Sequence, residues 1–271
     1  MANDITFFWL CFWVYLFAFV LYVFYIPFEK KFLSTFASGL MVLGFIAHTV
    51  ALLLRWRNAG HAPWTNMYEY VSLIAWFVVA GYMILLFLMR KPIIGAFVAP
   101  VSFLLMVSAS ILPKEPQQQL MPALQSVWLK IHVSVAAAGE GAFAVAFASS
   151  ILFLLKSGLK PGKGLISRLP SADVLDDVSY KSISIGYPLF TVGAMFAGMI
   201  WAYKAWGSFW GWDPKEVSSL VVWAIYTVYL HTRYVMGWKG RRSAVVAIIG
   251  FVMAILTFFS NLILGGLHSY T

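Results

Sequence analysis

Long apolar runs separated by short polar connectors dominate the pattern of this 271-residue chain. A helix needs roughly 20 apolar residues to cross the hydrocarbon core of a bilayer. Eight segments meet that requirement, at about 5–26, 33–54, 70–89, 92–112, 129–155, 184–204, 217–236 and 243–264. Only Arg90, Lys91 and Pro92 separate the third segment from the fourth, which predicts a tight turn. The pattern therefore predicts an all-α, polytopic integral membrane protein with about eight transmembrane helices.

None of the connectors is large enough to form a soluble domain, so we expect residues 1–271 to form a single membrane domain. The longest polar connector, 156–181, contains LPSAD at Leu169–Asp173, which is typical of a helix start and predicts a short surface helix. The first apolar stretch, 5–26, lacks a preceding basic segment and a following small-residue cleavage site. We therefore expect it to be a retained helix rather than a cleaved signal peptide.

Composition supports lipid as the main solvent. Hydrophobic residues make up 62% of the chain and charged residues 11%, with a mean hydropathy of +0.83, whereas a soluble domain carries about 25% charged residues. The single cysteine, Cys11, excludes a disulfide or a cysteine-based metal site within the chain. We interpret the net charge of +9 as a record of membrane topology rather than of nucleic-acid binding.

The basic residues divide unevenly between alternate connectors. One set contains Lys30, Lys31, Arg90, Lys91, Lys156, Lys160, Lys163, Arg168, Lys181, Arg233, Lys239, Arg241 and Arg242. The other set contains Arg55, Arg57, Lys114, Lys130, Lys204 and Lys215. Because cytoplasmic loops are enriched in Lys and Arg, the first set is predicted to be cytoplasmic. Both termini and the loop between the sixth and seventh segments are then predicted to lie on the outer side.

That outer loop, at 205–216, is rich in aromatic residues and glycine. Its candidate ligand-binding residues are Trp206, Gly207, Phe209, Trp210, Gly211, Trp212 and Asp213. An interfacial aromatic belt is the better explanation of any single tryptophan, but it explains the dense set less well, since a belt does not need glycine between the rings. Glycine lets a flat ligand approach the backbone and stack on the rings. We therefore predict a Trp-rich loop that presents a large planar ligand such as haem.

The end of this loop has the sequence of a helix cap. Asp213, Pro214 and Glu216 match an N-cap, a proline at the first helical position and a capping-box partner. We interpret Asp213 as the residue that starts the seventh segment rather than as a catalytic acid. As the N-cap, Asp213 determines where the Trp-rich loop ends, and we include it in the site for that reason.

Two histidines are predicted at the outer boundary. His132 opens the fifth segment and His268 follows the eighth. A lone histidine in an apolar helix is usually a hydrogen-bonded interior residue, yet ionisable groups inside membranes tend to be functional. Two neutral imidazoles can ligate haem iron from opposite faces. The sequence has no short-range His or Cys pair of the zinc type, so we predict that His132 and His268 bind haem iron.

The roles of three other polar residues are not decided by the sequence. His48 lies in the outer half of the second segment, and His61 lies in the loop beyond it, as a loop residue or a group that supports a ligand. Glu140, between Gly139 and Gly141, lies about two turns below His132. Its carboxyl group either makes a hydrogen bond to a neighbouring helix through a small-residue gap or modulates protonation near the site.

The residues from about 40 to 271 resemble the CcsA (ResC) subunits of system II cytochrome c synthases. The resemblance is carried by WGSFWGWDPKE at Trp206–Glu216 and VVWAIYTVYLHTR at Val221–Arg233. Shorter matching segments are Lys130–Val133, Gly186–Thr191, Gly198–Ala202, Asn261–Tyr270 and the early segment His48–Glu69. The family pattern assigns no role to Glu140.

The resemblance implies a function in cytochrome c biogenesis. Haem b moves from the cytoplasmic side to an outer site under the Trp-rich loop, where His132 and His268 correspond to the axial ligands. His231 corresponds to an inner haem ligand whose mate comes from a CcsB (ResB) partner subunit. Thioether bonds then form between haem and the CxxCH segment of apocytochrome c, a holocytochrome c synthase-type lyase reaction. The implied location is the bacterial inner membrane, or the thylakoid, with the active site outside.

Two other functions remain as alternatives. A haem transporter or chaperone of the CcmC type would hand haem on without attaching it, but the eight segments and the DPKE and HTR forms favour the synthase type. A structural subunit of a membrane assembly would leave the histidine pair and the Gly-spaced Trp-rich loop unexplained.

Overall fold

Helices account for all the regular secondary structure in the part of the chain that the structure describes. The structure is a computed structural model, and it describes residues 3–28, 30–90, 92–115, 120–158 and 169–264. The helices are α1 (Asn3–Phe28), α2 (Lys31–Ala59), α3 (Met67–Met89), α4 (Gly95–Ser110), α5 (Val127–Gly158), α6 (Ala172–Phe190), α7 (Gly198–Trp206), α8 (Pro214–Val235) and α9 (Arg241–Leu264). A π-helical segment, Thr191–Ala197, joins α6 to α7. Short 3₁₀ turns occupy Pro92–Ile94 and Pro122–Gln125.

The helices confirm an all-α, polytopic membrane protein. Five helical stretches are long and apolar enough to cross a bilayer: Asn3–Phe28, Lys31–Ala59, Met67–Leu88, Val127–Gly158 and Ala172–Trp206. Gly95–Ser110 is a shorter apolar helix. The total of eight transmembrane helices therefore stays a prediction.

The predicted helix start near Leu169–Asp173 is confirmed, although the helix is much longer than expected. Ser171 caps α6, since its carbonyl oxygen accepts from the Leu175 N–H at 3.1 Å. The helix is not a separate surface element, because it continues through the π-helical segment to Trp206. Buried Leu175, Val178 and Ile183 extend the helical spacing into the connector, which explains why the polar composition there was misleading.

The chain folds into two compact units. Unit 1 comprises residues 1–118 and 152–175, and unit 2 comprises residues 119–151 and 176–271. Helices α1–α4 belong to unit 1 and α7–α9 to unit 2, while α5 and α6 contribute to both. The single membrane domain expected from the sequence stays a prediction.

In unit 1, α1 packs along α2 and α4, and α3 packs on α4. The interior includes hydroxyl groups that hydrogen-bond one another: Tyr22 Oη lies 2.7 Å from Tyr82 Oη and 2.9 Å from Ser38 Oγ. Cys11 is also buried here, and its Sγ donates to the Phe8 carbonyl oxygen at 3.1 Å. Each of these polar groups therefore has a partner inside the unit, as buried polar groups require.

A buried charge cluster closes one end of unit 1. Arg55 Nε donates to Glu69 Oε1 at 2.8 Å, and Arg55 Nη1 lies 3.4 Å from Asp4 Oδ2. The backbone N–H and hydroxyl of Thr65 donate to Glu69 Oε2 at 2.8 and 2.9 Å. The sequence pattern predicts that Arg55 lies in the connector after the second segment, whereas α2 extends to Ala59 and Arg55 is 3% exposed. Pairing with two carboxylates is what permits its burial.

Candidate functional site

In unit 2, α5 packs closely against one glycine of the π-helical segment and one glycine at the start of α7. A methyl group on Gly193 would lie 2.7 Å from the Val135 carbonyl carbon and 3.0 Å from Ala136 Cα. A methyl group on Gly198 would lie 3.1 Å from both Cε1 and Nδ1 of His132. The sequence therefore needs glycine at these positions, since any larger residue would separate the helices or displace the imidazole.

His132 is half-buried in this contact, and main-chain and aromatic groups hold it. Its Nδ1 lies 2.9 Å from the Gly193 carbonyl oxygen. The imidazole stacks on the indole of Trp201, with ring centroids 5.8 Å apart and planes 9° apart. Trp201 is itself buried, and its Nε1–H donates to the Ala123 carbonyl oxygen at 2.8 Å.

A chain of aromatic rings leads from His132 to the Trp-rich loop, 205–216. Trp201 meets Trp206 edge-to-face, with centroids 4.9 Å apart. Trp206 ends α7, and Gly207 caps the helix in the left-handed region with φ +77°. The Gly207 N–H donates to the Tyr203 carbonyl oxygen at 2.8 Å. Glycine is required at this cap because a Cβ is unfavourable at that φ.

Of the remaining rings of the loop, Phe209 and Trp212 are largely exposed and Trp210 is half-buried, and the rings point in different directions. Phe209 is 51% exposed and stacks on Tyr203, with centroids 4.4 Å apart and planes 11° apart. Trp212 is 71% exposed, and its ring is perpendicular to that of Trp210 at a centroid distance of 5.8 Å. In this arrangement only one of these two indoles can lie flat against a given planar ligand.

The predicted cap at Asp213 is confirmed. Its carboxylate accepts from the Lys215 N–H at 3.1 Å, and a full capping box forms with Glu216 at the start of α8. Glu216 Oε2 accepts from the Asp213 N–H at 3.2 Å and also from the Gly211 N–H at 2.8 Å. The Glu216 carboxylate thus accepts hydrogen bonds from the residues on both sides of Trp212, an arrangement that we call the Glu216 clasp.

This clasp surrounds a strained residue. Trp212 adopts φ +56°, in the left-handed region that bulky side chains avoid. Such a conformation costs about 1–3 kcal/mol and persists only where neighbouring contacts enforce it. The Glu216 carboxylate provides those contacts, so the exposed indole of Trp212 is held in one direction rather than left to rotate with the loop.

Glu140 is 6% exposed on α5. Lys215 and Tyr226, both on α8, lie close enough to interact with it electrostatically, and Lys215 interacts also with Asp213. A lysine of opposite charge lowers the cost of burying a carboxylate within a helical bundle. Glu140 therefore lies near α8, the helix that follows the Trp-rich loop.

The other histidines occupy different environments. His48, in unit 1, is completely buried, with Nε2 2.9 Å from Ser72 Oγ and Nδ1 3.5 Å from Tyr15 Oη. His61 follows α2, and its Nδ1 lies 3.1 Å from the Ala62 carbonyl oxygen. His231 is exposed on α8, about 25 Å along the helix from Pro214. His268 lies outside the described residues.

Sequence reasoning missed two groups that shape the site. Trp201 falls in a segment that resembles the family, but one tryptophan in an apolar run has no distinctive signature. Gly193 acts through its carbonyl, which every residue has, so only its small size could have pointed to a close helix contact.

The fold and the site together define a class: a polytopic helical membrane protein in which a histidine held by glycines adjoins an exposed tryptophan loop. The family model described as "Cytochrome C assembly protein" matches residues 64–268. The chain belongs to this cytochrome c assembly family.

Individual relatives agree with the family. "Cytochrome c biogenesis protein CcsA" of Chlamydomonas reinhardtii is 40% identical over 227 residues, which cover 81% of this chain and 64% of that protein. The protein of the same name from Prochlorococcus marinus (strain NATL2A) is 36% identical over 269 residues, covering 88% and 85%. The protein of that name from Synechocystis is 32% identical over 303 residues, covering 90% of each.

A solved structure shares the fold. "Cytochrome c Heme Lyase CcmF" superimposes with a TM-score of 0.71 at 19% identity, covering 95% of this chain and 46% of that protein. At this identity the likeness shows the helical architecture alone.

Proposed function

We propose that the chain acts in cytochrome c biogenesis by holding haem at the Trp-rich loop of unit 2 for attachment to apocytochrome c. The observation that carries the proposal is the environment of His132. An imidazole anchored to the Gly193 carbonyl is joined through Trp201 and Trp206 to a loop of exposed rings. A family devoted to cytochrome c assembly requires a site of this kind.

The residues present fit haem as the bound substrate. Haem offers a broad apolar plane and an iron that accepts two axial imidazoles. Phe209 and Trp212 supply exposed aromatic faces, and the glycine at 211 leaves the backbone open to a flat molecule. We assign His132 as one axial ligand and His268, from the family motif, as the other.

Attachment adds a thiol across a vinyl group. The S–H bond breaks, a C–S bond forms at one vinyl carbon, and the other vinyl carbon takes the proton, so no oxidant is consumed. The contribution of this chain is positioning: its imidazole and indole groups would hold the haem for the incoming peptide. This is a holocytochrome c synthase-type lyase role.

His231 supports a second, inner haem position shared with a partner. It lies on an exposed apolar face of α8 with Val228 and Tyr234, which are 52% and 70% exposed. An imidazole facing lipid is unfavourable, which favours a protein surface here. We assign this face to a CcsB (ResB)-like subunit that supplies the second ligand. The charge asymmetry between alternate connectors supports a haem-attachment site on the outer side of a bacterial inner membrane or thylakoid.

Replacing the axial ligands tests the proposal. His132→Gly or His268→Gly, co-expressed with the partner subunit and a c-type cytochrome, should reduce cytochrome maturation to about 1% of wild type or below, given a loss of roughly 3 kcal/mol or more in ligation. Imidazole in the medium should restore part of it, because the cavity left by the side chain admits a replacement ligand. Trp210→Ala should instead weaken haem retention without rescue by imidazole.

One control variant completes this test. His48→Gln alters a buried histidine of unit 1 and should leave the haem absorption spectrum unchanged at matched protein levels. Full maturation in both glycine variants would exclude the axial-ligand assignment. Normal haem loading without thioether formation in the reconstituted wild-type complex would instead favour a transporter of the CcmC type.

A further inference from the structure

We infer that the main-chain carbonyl of Gly193 is a positioning group that selects the iron-binding tautomer of His132. The inference rests on the proposed function, since it concerns how the assigned axial ligand is prepared. It follows from the hydrogen bond, the π-helical backbone and the packing of one glycine and one tryptophan around the imidazole.

The hydrogen bond assigns the proton on the ring. A carbonyl oxygen can only accept, so Nδ1 of His132, 2.9 Å from the Gly193 oxygen, must be the donor. In a neutral imidazole one nitrogen carries hydrogen and the other carries a lone pair. Nε2 is therefore the nitrogen whose lone pair can bind a metal.

The π-helical segment places the carbonyl where it can serve this purpose. The Gly193 oxygen also accepts from the Gly198 N–H, five residues later, in the spacing of a π turn. A carbonyl has two lone pairs, so it can take both donors. The Gly193 oxygen thus keeps its main-chain hydrogen bond in the wider π turn and also accepts from His132 on α5.

Two further contacts define the plane and position of the ring. Trp201 stacks 9° from parallel, and its own Nε1–H is held by the Ala123 carbonyl oxygen. Gly198 leaves just enough space beside the ring, since a Cβ there would lie 3.1 Å from Cε1 and Nδ1. The imidazole is therefore fixed in rotation by the stack and in tautomer by the carbonyl.

The chemical consequence is a stronger ligand. Donation of Nδ1–H to a carbonyl raises the basicity of Nε2, and losing such a partner typically weakens metal binding about 10–100-fold. Because the partner is a main-chain atom, no side-chain substitution removes it cleanly. The test must therefore change the donor or the space around it.

Two isomeric ligands change the donor alone. In His132→Gly, 4-methylimidazole can donate N–H to the Gly193 oxygen while it binds iron, whereas 1-methylimidazole cannot. The complex with its partner subunit should need about fivefold less 4-methylimidazole for half-maximal recovery of the haem spectrum, as expected for one net hydrogen bond. Equal potency would overturn the inference and leave the axial ligation in place. If neither methylimidazole restores the haem spectrum, both the inference and the assignment of His132 as an axial ligand are wrong. The maturation assay tests the function in cytochrome c biogenesis separately.

A pair of glycine variants changes the space. Gly198→Ala should move the imidazole and weaken its ligation by about tenfold. Gly250→Ala is the control, since its methyl would meet only the Tyr226 ring, at 2.8 Å, in the same unit and in a contact that does not include His132. Nitrogen-15 spectra of the haem-free, histidine-labelled complex should show the Nδ1–H tautomer for the His132 signal. An Nε2–H signal, or identical haem spectra for both variants, would refute the inference.

Discussion

The two units hold their polar side chains in different ways. In unit 1 the buried charged groups pair with side chains and backbone groups. In unit 2 the half-buried His132 is hydrogen-bonded to a main-chain carbonyl and lies next to a loop with exposed aromatic rings. Arg55 pairs with the buried carboxylates of Asp4 and Glu69 and also donates to the Lys114 carbonyl oxygen. Around the Trp-rich loop, Trp212 is both strained and 71% exposed. Closed polar pairing is typical of structural roles inside a membrane, while strain combined with exposure favours a ligand site.

His48 and His132 show the same contrast. His48 is completely buried between Ser72 and Tyr15, and both ring nitrogens face hydroxyl groups. His132 instead has one nitrogen directed at a backbone oxygen and its ring plane against Trp201. Position in the sequence alone did not separate them, because both lie in apolar helices.

The largest expected effect on stability lies in unit 1. Arg55→Met leaves the carboxylates of Asp4 and Glu69 buried without their cation, so the free energy of unfolding should fall by about 3–5 kcal/mol. Denaturant unfolding of the purified protein measures this change. The triple variant with Asp4→Asn and Glu69→Gln should recover most of it, because no charge is then left unpaired. The folded fraction of Arg55→Met should keep a wild-type haem spectrum, and a changed spectrum would contradict the division between the units.

A smaller effect is expected at the Trp-rich loop. Glu216→Ala removes the acceptor for the Gly211 and Asp213 N–H groups, at a cost of about 1–2 kcal/mol. Without this clasp Trp212 should leave its φ of +56°, and haem retention during purification should fall by about tenfold, the equivalent of 1.4 kcal/mol. Glu216→Gln keeps an acceptor oxygen and serves as the control. Unchanged haem retention in Glu216→Ala would show that the loop holds its shape by other contacts.

The smallest effect is a gain in stability away from the candidate site. Gly39 lies within α2 with nothing within 4 Å of an added Cβ, so Gly39→Ala should stabilise the protein by about 0.5–1 kcal/mol. Gly44, on the same helix, is the matched opposite, because its Cβ would meet the Tyr15 ring at 2.6 Å. Thermal unfolding should therefore shift upward for Gly39→Ala and downward for Gly44→Ala, with haem retention unchanged in the first. A loss of stability in Gly39→Ala would mean that α2 has a partner on this face.

Features set by neighbouring residues were predictable from the sequence. The capping box of Asp213 and Glu216 and the start of α6 after Ser171 depend on groups within four residues. Long apolar runs likewise predicted the helices, because lipid imposes their length and polarity.

Features that depend on distant pairs were not predictable. Arg55 lies 51 residues from Asp4, and His132 lies 61 residues from Gly193. No local pattern records such partners, and a carbonyl oxygen has no sequence signature. The π-helical segment is equally hidden, since its apolar sequence does not differ in kind from the helical sequence on either side of it. The assignment of His268 and His231 to iron stays a prediction.

The burial of the single cysteine has a consequence for thiol–disulfide exchange with the apocytochrome. Cys11 is completely buried and its Sγ points to the Phe8 carbonyl, so it cannot act as a nucleophile toward a passing disulfide. Under the proposed function the incoming apocytochrome brings two reduced thiols to this protein. The chain has no reactive sulfhydryl to trap that client as a mixed disulfide, and the client's own sulfur atoms remain available for the vinyl groups.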